Sequence, residues 1–158
     1  MQTYKALLLA TLGISLTAGC ALFGNHVETT LQIHEQVSPA LPKSHMLPVT
    51  IPKANLNLVV DPVAALSDRH ILSAESYQTA GGLAIMLTFD IHGVILLDEL
   101  TTRTRGEYLV TFLDGRPVAA WLVDRRITDG HLLVEGDFTD EQARKAIESL
   151  NRMSKKRR

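Results

Sequence analysis

The sequence predicts an α+β fold: a single two-layer domain with a mostly antiparallel sheet and two helices on one face. Three observations point there. Short apolar runs of strand length recur along the chain, separated by Gly, Pro and Asp. Asp114-Gly115 stands between two such runs, the strongest short-range sign of a hairpin. In two places the apolar period changes from two to three or four residues, which is the helical spacing. With 158 residues, 46% of them hydrophobic, the chain has room for one domain with a real core.

The elements follow in order. In 27–37, Val27, Thr29, Leu31, Ile33 and Val37 alternate with Glu28, Thr30, Gln32, His34 and Gln36, a half-buried strand with a polar outer side. Residues 38–48 hold three prolines and read as an extended loop. Residues 49–52 and 56–60 read as short strands, the second ended by Asp61-Pro62. A helical turn capped by Ser67 is expected over 66–70, then a strand over 71–79. A turn at Gly81-Gly82 leads to a strand over 83–90. Val94, Leu97, Leu100 and Thr104 recur at helical spacing, with Asp90 as N-cap and Gly106 beyond the last turn.

The hairpin 107–123 comes next, apolar at nearly every position of both arms, then a strand over 131–137. A final helix begins after Thr139, which forms a capping-box spacing with Gln142. Asp140 and Glu141 complement the positive end of its dipole. The helices can cover only one face of the hairpin. The early strands, a second copy of the chain or a client must meet the other, which carries Leu109, Thr111 and Leu113 or their opposite set, plus Trp121.

The first twenty residues stand apart. Lys5 precedes an apolar run from Ala6 to Leu16, shorter than a comfortable bilayer-spanning helix and suited to an export signal. Its ending, Leu16-Thr17-Ala18-Gly19-Cys20, resembles the lipobox of bacterial lipoproteins. That resemblance implies cleavage between Gly19 and Cys20 and acylation of Cys20. Cys20 is the sole cysteine, so the exported chain has no internal disulfide, and acylation would consume its thiol. Several acyl chains on one residue give stable anchoring where one chain does not. Ala rather than Asp at position 21 favours delivery to the outer membrane over retention at the inner one. The expected organisation is a signal peptide over 1–19, a short tether over 20–26, the folded domain over 27–153 and a basic tail over 154–158. No later apolar run is long enough to span a membrane as a helix.

Charge excludes some functions. Sixteen basic and seventeen acidic residues nearly cancel, which gives no argument for nucleic acid as a partner. The basic cluster Arg152, Lys155, Lys156, Arg157 and Arg158 reads as a solvated helix end, or as a contact for anionic lipid or an acidic patch. No nucleophile elbow or phosphate loop is present, and no cofactor is implied. Asp68 with His70, Asp90 with His92, and His131 are the candidates for a metal-binding or enzymatic alternative. Against them, Asp90 serves better as a helix cap. A non-enzymatic binding or scaffold role is therefore preferred, with Tyr108 and Trp121 as candidate partner-binding aromatics.

Residues 61–152 resemble the head subdomain of the first periplasmic domain of SecD, an accessory subunit of the bacterial Sec export machine. The resemblance is carried by Leu113-Asp114-Gly115, Pro117 to Ala120, Ile127 with Gly130, Gly136-Asp137-Phe138-Thr139 and Glu141 to Ala143. Leu66-Ser67 with Ile71, and Phe89-Asp90 with Gly93, extend it upstream. Asp129-Gly130 stands where the family has Gly-Gly. SecD couples proton flow to movement through membrane helices, which have no counterpart in this sequence. What the resemblance implies is thus a domain that contacts unfolded or exported polypeptide or an envelope protein complex, without a motor.

Overall fold

The computed structural model describes residues 28–40, 42, 44 and 46–157. The signal-like segment, with Gly19 and Cys20, lies outside them. The element order is β1 (Leu31–Glu35), β2 (Leu47–Ile51), β3 (Leu56–Val60), β4 (Leu66–Ser67), a 3-10 turn (Asp68–His70), β5 (Ile71–Thr79), β6 (Gly82–Phe89), α1 (Ile91–Arg103), β7 (Tyr108–Leu113), β8 (Arg116–Leu122), β9 (His131–Val134) and α2 (Asp140–Arg157). All strand pairings are antiparallel, so the α+β class stands. The strands do not join into one sheet. They form a four-stranded sheet ordered β4-β1-β7-β8, a three-stranded sheet ordered β5-β6-β9, and a two-stranded ribbon of β2 and β3.

The main core gathers Leu31, Ile33, Leu109 and Leu113 of the four-stranded sheet with Ile85, Leu87, Phe89 and Leu132 of the three-stranded one. Leu97 and Leu100 of α1 and Ala143, Ala146 and Leu150 of α2 complete it, with α2 lying on β5 and β6. Residues on the opposite face of β7, Val110 and Phe112, pack with Val49, Ile51 and Val60 of the ribbon in a second, smaller core. The β7–β8 hairpin is apolar throughout because both of its faces are buried, the helices' side by the main core and the other by the ribbon.

Several boundaries differ from the sequence reading, each for a backbone reason. β1 begins only at Leu31, because the amides of Thr29 and Thr30 are taken by Ser149 Oγ and Asp114 Oδ1, both at 2.9 Å, instead of a ladder. β2 begins inside the expected proline loop. Pro48 is tolerated there since β2 pairs on one side only, with β3. The β5–β6 turn is Ala80-Gly81, and Gly82 already pairs with Thr79. β9 stops at Val134, and Asp137 N donates instead to Val118 O at 2.6 Å. Of the residues expected as a separate basic tail over 154–158, residues 154–157 are the last turn of α2, and Arg158 lies outside the described residues. Ser154 Oγ donates to Leu72 O at 2.6 Å, and the Arg157 guanidinium donates to Asp68 O and Ile71 O at 3.0 Å.

His34 is the clearest correction. Strand alternation puts it on a polar outer side, yet it is 3% exposed and its ring lies 4.6 Å from that of Phe112. Phe112 and the ribbon cover that side. Nδ1 donates to Asp61 O at 2.8 Å, and Nε2 is buried without a partner among the described residues. Among the described residues no helix is long and apolar enough to cross a membrane.

Candidate functional site

The hairpin turn is built by Asp114 and Gly115, whose φ angles of 50° and 74° are the left-handed values a two-residue loop demands. Glycine enters that region without strain, and Asp is among the few other residues that tolerate it. Asp114 is also tied to the start of the chain. Its amide donates to Thr30 O, and its Oδ1 accepts from Thr30 N, both at 2.9 Å.

From this turn an unbroken ladder would pair Tyr108 with Trp121. It does not run unbroken. Leu113 pairs with Arg116 and Phe112 with Pro117, but Thr111 pairs with Ala119, leaving Val118 as a bulge. Beyond the bulge Tyr108 faces Leu122, and Leu109 faces Trp121. Tyr108 and Trp121 therefore lie on opposite faces of the hairpin and form no common patch. Both are half-buried, Trp121 packed against the main core and not on the outer face. Leu122, beside Tyr108, is 45% exposed. β8 is the terminal strand of its sheet, so one edge of it has no neighbouring strand among the described residues.

The bulge is supported from β9's exit. Gly136 fits because a Cβ there would stand 2.7 Å from both Val118 O and the Phe138 ring. Thr139 N donates to Gln142 Oε1 at 2.8 Å and Gln142 N to Thr139 Oγ1 at 3.2 Å, a reciprocal cap that starts α2. Gly93 lets the first turn of α1 approach β6, since a Cβ would meet the Cβ atoms of His70 and Phe89 at 2.9 Å. The residues that carry the resemblance thus have architectural work: a turn, a bulge support, a cap and a close approach.

The Asp/His candidates are dispersed. Asp90 Oδ1 accepts from Gly93 N at 2.8 Å as the cap of α1, and His92 is exposed in the helix's first turn. His70 Nδ1 accepts from Ser67 N at 3.3 Å. Burial holds the His70 imidazole below its ordinary 6.5, against the opposing pull of the Asp90 carboxylate. His131 Nδ1 lies 3.2 Å from Thr88 Oγ1, on β9. Among the described residues no three His, Cys, Asp or Glu side chains are grouped to hold a metal. A shallow groove of about 520 Å³ runs along α2 and is lined by Glu148, Asn151, Arg152, Lys155 and Lys156. Beside it Lys156 bonds Glu28 at 2.9 Å. That hydrogen bond and the lysine's charge, with Arg152 adding to them, hold the Glu28 carboxylate below the usual range.

Residues 44–152 match the family described as SecDF, P1 head subdomain. The chain belongs to the SecDF P1 head family. Its architecture agrees with two solved structures. One, of a membrane component SecDF that enhances protein export, aligns over 78% of this chain and 62% of its own, with a TM-score of 0.61 and 20% identity. The other, SecDF in a super-membrane-facing form, aligns over 78% of this chain and 19% of its own, with a TM-score of 0.62 and 21% identity. At that identity the likeness is one of fold. The SecDF P1 head unit here spans less than two thirds of either protein. A comparison with curated protein sequences gives no match.

Proposed function

We propose that this chain is a non-enzymatic accessory of protein export. It is a P1 head domain anchored in the cell envelope through acylated Cys20, facing the periplasm from the outer membrane, and it contacts unfolded or exported polypeptide or an envelope protein. The observation that carries this reading is the family match across 44–152. A similar fold occurs in a membrane component that enhances protein export. The Leu16 to Cys20 ending supports the anchor.

The free edge of β8 supports the site of contact. An extended polypeptide can add to a sheet edge through main-chain hydrogen bonds, with side chains gripped on alternate faces. Here Trp121 flanks that edge on one face and Tyr108 with Leu122 on the other. One outward carbonyl, that of Val118, is already engaged by Asp137 N, which confines pairing to the part of β8 beyond the bulge.

Photoreactive residues at Tyr108, Trp121 and Leu122, introduced one at a time in cells, test the reading. Adducts to exported chains or to one envelope protein are expected. No adducts at any position, together with no binding of an unfolded model polypeptide by the purified protein, would remove the binding role. For the anchor, Cys20→Ala should abolish lipid labelling and leave an unprocessed precursor. Normal maturation of that variant to a lipid-free protein would overturn it.

A further inference from the structure

The described chain enters the fold against the C-terminal part of α2. Thr29 N donates to Ser149 Oγ, and Glu28 pairs with Lys156, both at 2.9 Å. The α2 groove opens beside that entry point. Of the cations there, Lys156 is held by Glu28 and Arg157 is turned to backbone carbonyls, while Arg152 and Lys155 form no salt bridge among the described residues. Glu28 and Glu148 are the opposing acids, so the positive sign prevails. At the other end α2 begins with Asp140 and Glu141.

We propose that the C-terminal face of α2 lies against a bilayer carrying anionic phospholipid headgroups, with Arg152 and Lys155 as the contacting cations. The proposal rests on the lipid anchor at Cys20. Eight residue steps separate Cys20 from Glu28, a reach of at most about 29 Å when fully extended. α2 itself is about 27 Å long. A tether that enters beside Lys156 lets the basic end of the helix approach the bilayer next to the anchor. Headgroup charge acts over roughly 8–10 Å at physiological salt, and within that range it favours the end of α2 that carries Arg152 and Lys155.

The experiment uses the acylated mature chain in vesicles of phosphatidylcholine alone or mixed with phosphatidylglycerol. Because Cys20 is the sole cysteine and is acylated in this material, Glu148→Cys or Glu141→Cys each provides one thiol for a fluorophore and leaves both contacting cations in place. The two positions lie roughly 10 Å apart along the helix. A headgroup-linked quencher should quench the label at 148 severalfold more than at 141 in the anionic vesicles. High salt, neutral vesicles or the added pair Arg152→Gln and Lys155→Gln should each remove that excess. Equal quenching at the two positions in an acylated chain overturns the orientation and leaves the anchor standing. So does an excess that survives high salt and neutral lipid. A mass without acyl chains on Cys20 overturns anchor and orientation together.

Discussion

The two faces of the β7–β8 hairpin are both buried, but by different means. On one side the main core joins two sheets and two helices, with Leu87 and Leu97 fully enclosed. On the other, Val110 and Phe112 are covered by a two-stranded ribbon, a unit too small to hold its shape alone. The ribbon is fixed by that packing and by a few backbone bonds, Val37 N to Val59 O and Asp61 N to Glu35 O, each at 2.9 Å. Its core also accommodates a histidine nitrogen with no partner among the described residues, a burial that weakens it further. Equal burial therefore does not mean equal stability. The main core holds the domain, and the ribbon is a cover that depends on it.

The largest effect should separate the two. Leu87→Ala should cost about 2–5 kcal/mol of global stability in urea unfolding. Ile51→Ala, equally buried but in the ribbon, should cost about 2 kcal/mol or less, because a cover can settle into the gap. Hydrogen exchange should then quicken across 47–60 before the rest of the domain. Equal global losses, with no local opening, would mean that the two cores form one cooperative unit.

Next in size is the turn that both faces share. Gly115→Val puts a β-branched residue at a φ of 74° and should cost about 1–3 kcal/mol. A Cβ there would meet nothing within 4 Å, so the loss would come from the backbone alone. It should loosen ribbon and main core alike. Exchange confined to one face would show that the hairpin can slip without disturbing the other.

The smallest effect is one of pH. His70 is held neutral by burial, so its contribution is complete above 6.5 and is lost as the pH falls through 6.5 towards its lowered folded value. Thermal stability should decline over that window, and His70→Gln should flatten the decline. His70 sits where α1 meets β6, so the change should register in the global melt and not in ribbon exchange. A slope unchanged in the variant would assign the pH dependence elsewhere.

What the sequence made legible was local. Asp114-Gly115 marks its turn, because left-handed backbone restricts residue choice at that spot. Thr139 with Gln142 marks the start of α2, because a cap acts over three residues. The ribbon's role was open, since the apolar runs at 47–51 and 56–60 announce burial without naming the surface they meet. His34 was placed on the wrong side for the same reason: alternation describes a strand with one wet face, and β1 has none at that position. The bulge at Val118 left no local mark either. It depends on a carbonyl reaching Asp137, and it alone decides that Tyr108 and Trp121 part company.

The bonds between residues 28–29 and residues 149 and 156 mean that the domain's two ends are neighbours. A unit built that way can be spliced into a loop of a larger host without stretching the host or itself. The same fold does sit inside a much longer chain, as 19% of a SecDF structure. Adjacent ends make the head a portable part, as easily set within another protein as joined by one short strand of chain to something else.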